Sequence, residues 1–225
     1  MVRFTTAILV LAAALAPVVS AAGNFTYTRI NKDDAVLLVV DHQVGLFQLV
    51  RDFEPDEYRN NVLAHAAIGK VFADPAQRDI EMHPDAAFIK RNGEVDAWDN
   101  EDFRSAVRAT GKKQVIIGGI TTDVCTTFLA LSLVQEGYTV FANVDASGAM
   151  SKRTADDANE RMRAAGVHVL SSFAVVCDLM RDWRNTPGSA QLLPFFDKYL
   201  AAYGYLARGH AAAVSRGTIL PGESE

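Results

Sequence analysis

The chain has 225 residues, of which 49% are hydrophobic, and a formal net charge of −5. That length suits one domain with a sizeable core. Acidic and basic residues are interleaved, without a basic stripe for nucleic acid or a polybasic patch for a membrane surface, so we expect a small-molecule substrate.

Residues 1–21 have the pattern of a secretory signal peptide. Arg3 precedes an uncharged apolar run from Ala7 to Leu15, and small residues follow as far as Ala22. The run is shorter than the about 20 residues that a membrane-spanning helix needs. We predict cleavage after residue 21 or 22, and therefore a secreted protein with no membrane attachment; an uncleaved N-terminal anchor is the alternative. The sequon at Asn24 is compatible with glycosylation on that route.

Strands and helices alternate along the rest of the chain. The apolar run 35–40 predicts a strand buried on both faces. The later elements are predicted as a helix over 56–72, a short strand over 87–90, a helix over 100–111, a strand over 114–120, a helix over 121–137, a strand over 139–144, a helix over 151–166, a strand over 167–170 and a helix over 173–184. This order predicts an α/β fold, Rossmann-like, with three α/β/α layers and a parallel sheet of five to six strands.

We place the folded domain at residues 30–185 and treat residues 186–225 as a C-terminal arm. The arm is rich in aromatic residues, and an exposed aromatic arm often packs on a neighbouring subunit.

Cys125 follows an apolar strand, within the first turn of the next predicted helix. The helix dipole stabilises a thiolate at such a position, so we expect a lowered thiol pKa. The backbone amides of Thr121 and Cys125 would face a tetrahedral oxyanion there. Two alternatives remain for Cys125: a small buried core residue, or a disulfide with Cys177, the other cysteine of the chain.

Four segments of the sequence, in order, resemble the isochorismatase-like cysteine hydrolases, most closely their YcaC-like branch. They are Val40–Gln43, Arg91–Asn100, Gly119–Cys125 and Val144–Ala146. The resemblance covers about residues 30–185. It implies a six-stranded parallel sheet, a homo-oligomer, and a triad of aspartate, basic residue and cysteine that hydrolyses C–N bonds of small amides through a thioester.

The resemblance makes Cys125 the nucleophile and Asp41 the general base, although an aspartate at a strand end also often caps a turn. The basic residue is Lys90 or Arg91; neighbours on a strand face opposite ways, so one of them reaches the site, and we favour Arg91. Gln43 and Trp98 are candidate substrate contacts, with a buried core position as the alternative for Trp98.

Three further expectations concern the backbone at Thr121, the role of Asp145 and the histidines. The resemblance implies a cis peptide bond just before Thr121, and we interpret Asp145, at the end of another strand, as a structural residue. The five histidines lack the paired spacing of zinc ligands, so we predict no metal and no other cofactor.

The pattern breaks between Phe72 and Phe88. The family has a second strand and a substrate-lining loop there, whereas this chain has only a polar stretch without a strand-like apolar run. A loss of about 20 residues would expose an edge of the sheet or force a new pairing. The alternative to an active hydrolase is therefore a catalytically impaired, secreted binding or interaction protein on the same scaffold.

Overall fold

The computed structural model describes residues 27–72 and 86–219. Three features of the sequence lie outside these ranges. They are the predicted signal peptide, the sequon at Asn24, and residues 73–85 of the stretch where the family pattern breaks. The strands are β1 (Ala35–Val40), β2 (Gln114–Gly119), β3 (Thr139–Asn143) and β4 (His168–Leu170). They form one parallel sheet in the order β1-β2-β3-β4.

Helices connect and flank the strands. They are α1 (Val44–Phe47), α2 (Pro55–Phe72), α3 (Glu101–Ala109), α4 (Thr127–Gln135), α5 (Lys152–Ala164), α6 (Ser172–Met180), α7 (Ser189–Tyr199) and α8 (Ala201–Arg216). A 3₁₀ turn, Ala97–Asp99, precedes α3, and a π-helical turn, Thr122–Thr126, precedes α4. In the described part of the chain, no helix has both the length and the hydropathy to cross a bilayer.

Apolar side chains cover both faces of the sheet, because successive residues of a strand point to opposite sides. Ile116 and Phe141 pack with α2, α6 and α7 on one face. Val115, Ile117 and Val140 pack with α3, α4 and α5 on the other. This arrangement confirms the predicted α/β fold with helices on both sides of a parallel sheet.

The strand count is lower than predicted. Residues 87–90 have no regular secondary structure and belong to no sheet, and Phe88 is 83% exposed. Phe88 and Ile89 are the only bulky apolar residues of this stretch, too few to bury a strand against the sheet. Among the described residues β1 is therefore an edge strand, and Val39 is 49% exposed.

Several aromatic residues of the predicted C-terminal arm pack within their own chain. Phe195 and Phe196 of α7 are buried in the cluster that α2 and α6 also form. Tyr203 of α8 stacks on Trp183, with ring centroids 5.4 Å apart. These side chains therefore belong to the hydrophobic core of the chain that carries them.

A polar network lies buried beneath the sheet around His65. Its Nε2 donates to the Leu38 carbonyl at 3.1 Å, and its Nδ1 accepts from Asn143 Nδ2 at 3.1 Å. Asn143 also bonds Ser172 Oγ, and the backbone amide of Ser172 donates to Asp145 Oδ2 at 2.7 Å. That last bond is what a structural role for Asp145 predicts.

We expect acid to destabilise the fold through His65. Burial lowers the pKa of His65 to about 4, below the ordinary value near 6.5. The unfolded chain therefore gains a proton at this site as the pH falls through 6.5, whereas the folded chain gains it only near 4. The free energy of unfolding should decrease across this window, by up to about 3 kcal/mol from this group.

Urea unfolding at pH 7, 5.5 and 4 measures the effect. The variant His65→Gln keeps a donor and an acceptor and should lose part of this acid dependence, whereas His210→Gln, at an exposed position, should keep all of it. An unchanged acid dependence in His65→Gln would contradict the assignment.

Candidate active site

Asp41, Arg91 and Cys125 meet at the carboxyl ends of β1 and β2. Asp41 directly follows β1, in a left-handed conformation with φ 55°. The pairing of Val40 with Gly119 puts the ends of β1 and β2 side by side. Residues that follow these two strands therefore share the edge where sites collect in open parallel sheets.

Arg91 forms an ion pair with Asp41. Its Nη2 donates to Asp41 Oδ2, and the two side chains are only 13% and 11% exposed. Its Nη1 donates to the Glu94 carbonyl at 2.5 Å, which fixes the guanidinium in the loop after residue 90. Lys90 is exposed. Of the two candidate basic residues, Arg91 is therefore the one in contact with Asp41.

Cys125 lies in the π-helical turn, with its thiol next to the Asp41 carboxylate and the Thr121 amide. Burial, followed by the hydrogen bond and the negative charge of Asp41, raises the thiol pKa to about 11. The Thr121 amide and Arg91 act in the opposite direction but are weaker. The predicted lowering of this pKa is therefore wrong, because burial and a contacting carboxylate outweigh the start of the helix.

The resting site accordingly holds a neutral thiol beside a carboxylate whose charge Arg91 balances. A thiol with a pKa near 11 is almost entirely protonated at pH 7. The Asp41 carboxylate is the hydrogen-bond acceptor for that proton. The geometry therefore suits transfer of the proton to Asp41 as the sulfur attacks, rather than a preformed thiolate.

Backbone contacts support the turn that carries Cys125. The peptide bond Ile120–Thr121 is cis, as the resemblance implied. The Thr122 amide donates to the Gly148 carbonyl at 2.9 Å. The Gly148 amide donates in turn to Tyr58 Oη at 3.0 Å. A side chain on Gly148 would collide with Val50 and Tyr58, since its Cβ would lie 2.6 and 2.8 Å from their atoms.

Two side chains of this support were not predicted from the sequence. Tyr58 is fully buried and donates from Oη to the Ala146 carbonyl at 3.3 Å. His42 Nε2 donates to the same carbonyl at 2.8 Å, and burial lowers the pKa of His42. The position of His42 directly after Asp41 was the one sequence signal for it. Tyr58 lies within the predicted helix over 56–72, where the sequence indicates no partner for its hydroxyl.

A cavity of about 1330 Å³ extends from this site along β1. Gln43 is in its lining, with Nε2 at 3.5 Å from Asp41 Oδ1. Trp98 is not: it is 6% exposed and packs edge-on against Phe103 and Tyr138 in the core. The core alternative for Trp98 therefore replaces the predicted substrate contact.

Cys125 and Cys177 are both free thiols, so the disulfide alternative does not hold. Within residues 27–72 and 86–219, no group of three or more His, Cys, Asp or Glu side chains is arranged to hold a metal ion.

Comparisons with known proteins give consistent matches. The family model of the isochorismatase domain matches residues 73–174. The probable hydrolase YcaC of Escherichia coli (strain K12) is 42% identical over 202 residues, which cover 81% of this chain and 97% of that protein. YcaC from Pseudomonas aeruginosa, solved with hexane-2,5-diol and covalent acrylamide, is 44% identical with a TM-score of 0.76, covering 83% of this chain and 99% of that one. The crystal structure of Escherichia coli YcaC, an octameric hydrolase of unknown specificity, is 41% identical with the same TM-score and covers 84% and 98% of the two chains.

The match to the Escherichia coli protein also shows how many residues this chain lacks relative to that protein. It covers 202 residues, but 81% of 225 residues is only about 182. About 20 aligned positions thus have no residue in this chain. The size of this gap agrees with the loss predicted between Phe72 and Phe88.

Proposed function

The chain belongs to the isochorismatase family and is a hydrolase, and on this premise we propose that it cleaves the C–N bond of a small amide through a thioester on Cys125. The observation that carries the proposal is the position of the Cys125 thiol between the Asp41 carboxylate and the Thr121 amide. The Pseudomonas aeruginosa relative holds acrylamide covalently, and acrylamide is an electrophile that adds to nucleophiles such as thiols, which supports a reactive nucleophile in this branch but not a particular bond cleaved.

In the first half of the reaction, Asp41 takes the thiol proton while the sulfur of Cys125 attacks the carbonyl carbon. The backbone amides of Thr121 and Cys125 are the proposed donors to the oxyanion. The C–N bond then breaks, and the amine leaves with the proton from Asp41. Arg91 stays charged throughout, so its role is to balance and orient Asp41, not to carry protons.

In the second half, a water molecule gives a proton to Asp41 and attacks the thioester carbonyl. The C–S bond breaks, the sulfur recovers its proton from Asp41, and the carboxylic acid product leaves and loses its own proton to solvent. The contacts among Asp41, Arg91 and Cys125 favour this hydrolase over the alternative of a catalytically impaired binding protein.

A panel of primary amides tests the proposed function. We expect ammonia release from at least one member and, in rapidly quenched samples, a mass increase of the protein equal to the acyl group. Hydroxylamine should remove that mass, because it cleaves thioesters. If no amide releases ammonia and no acyl mass forms, although iodoacetamide still alkylates Cys125 at high pH, the proposal fails.

We also propose that the chain forms a homo-oligomer, since the Escherichia coli relative is octameric. Helix α8 contributes an exposed apolar surface suited to such a contact, with Tyr205 81% and Leu206 67% exposed.

Secretion remains a proposal that depends on the sequence pattern of residues 1–21. Mass spectrometry of the N-terminal peptide of the natural protein tests it, because a chain that still begins at Met1 would contradict cleavage.

A further inference from the structure

We propose that the open edge of β1 binds the acyl part of the substrate as an added strand, so that the preferred substrate is a short, extended, apolar peptide with a C-terminal amide. This inference rests on the proposed function and names its substrate class. It concerns the stretch of β1 that leads to Cys125.

The backbone N–H and C=O groups of successive residues in β1 point alternately toward β2 and away from it. The Val40 carbonyl accepts the Ile120 amide at 3.2 Å, and Val40 pairs with Gly119. Because neighbouring residues of a strand point their N–H and C=O groups to opposite sides, those of Ala35, Leu37 and Val39 face away from β2. In the sheet formed by the described residues, no strand occupies that side.

The cavity follows the same edge. Its lining includes all of β1, one face of α2 and the exposed Phe88, and it reaches Asp41, Arg91 and Cys125 at the carboxyl end of the strand. Six residues of strand are about 20 Å long. The volume of about 1330 Å³ exceeds the roughly 300 to 1,000 Å³ of ordinary small-molecule sites. A compact amide would leave most of this space empty.

The polar backbone groups along this cavity favour a peptide over a simple hydrocarbon chain. Unpaired backbone donors and acceptors are costly to bury, and an apolar chain would leave those of Leu37 and Val39 without partners. An extended peptide pairs with them, and its side chains contact apolar surface on either side. A peptide parallel to β1 ends at Cys125 and presents its C-terminal carbonyl there, with the amine as leaving group.

The test compares two anilides that release the same chromophore. We expect kcat/KM for acetyl-Val-Leu-Val-p-nitroanilide to exceed that for p-nitroacetanilide by at least about 100-fold. The peptide can make two or more hydrogen bonds and an apolar contact with the edge of β1 that p-nitroacetanilide cannot make. N-methylation of the central peptide amide should remove most of this advantage. The variant Val39→Pro, which deletes one edge N–H, should lower the ratio of the two kcat/KM values.

A binding measurement separates this inference from the proposed function. The tripeptide anilide should bind Cys125→Ala in calorimetry, and the N-methylated form should bind at least about tenfold more weakly. Equal turnover of both anilides would overturn the substrate class and leave the hydrolase intact. Binding without any turnover would support the edge site and count against the hydrolase.

Other occupants of the edge give different results. If residues 86–90 or a second copy of the chain fill it, Val39→Pro will lower the melting temperature or the molecular mass in solution without changing the ratio of the two anilide rates. That result would overturn the inference.

Discussion

Replacing Cys125 by alanine will lower kcat/KM for any amide substrate by at least about 10⁴-fold, the scale on which loss of a nucleophile acts in cysteine and serine hydrolases. Steady-state ammonia release, compared at equal protein concentration, measures the loss.

Cys177 provides the matched control, because the chain has only these two cysteines. Cys177 lies on α6, close to Tyr203 and outside the lining of the cavity. We expect Cys177→Ala to keep the wild-type rate within about twofold, since it touches no reacting atom. Full activity in Cys125→Ala would contradict the proposed nucleophile.

Replacing Asp41 by asparagine will have opposite effects on two properties of the site. The negative charge and hydrogen bond that raise the Cys125 pKa disappear, while Arg91 keeps its positive charge. The thiol pKa should therefore fall, and alkylation by iodoacetamide at pH 7 should become faster. Amide hydrolysis should become about 10² to 10⁴-fold slower, because the base that collects the proton is lost.

Alkylation rates between pH 6 and 10, followed by mass spectrometry of the Cys125 peptide, measure the first effect. Asp123→Asn removes another carboxylate of the same turn, one that is not among the main causes of the raised thiol pKa. It should leave the alkylation profile unchanged. Slower alkylation in Asp41→Asn would mean that Asp41 promotes ionisation of the resting thiol, and the proton transfer proposed here would be wrong.

The sequence correctly predicted the two strands that position the site. Continuous apolar runs identified β1 and β2, because both strands are covered on two faces. The pairing of Val40 with Gly119 then determines that residues 41 and 125 meet, although 84 positions separate them along the chain. The family resemblance identified the same residues. Arg91 was favoured over Lys90 by alternation along a strand, but residues 87–90 form no strand, so that reason does not hold.

The sign of the thiol pKa could not be predicted in this way. The start of a helix is visible in the sequence, but the depth at which Cys125 is buried and its contact with Asp41 depend on tertiary packing. The same limit applies to Tyr58, whose hydroxyl supports the loop beside the nucleophile. An apolar helical period predicts burial of a tyrosine, not the partner of its oxygen.

The packing of α7 shows that the folded core extends beyond the end of the family match. The match to the family ends at residue 174, yet Leu192, Phe195 and Phe196 complete the cluster beneath β2 and β3. Removal of such side chains costs about 2 to 5 kcal/mol each, a large share of the stability of a single domain. The smallest unit that folds is therefore longer than the segment that the family model matches, and we expect a deletion after residue 185 to destabilise the sheet that positions Asp41 and Cys125.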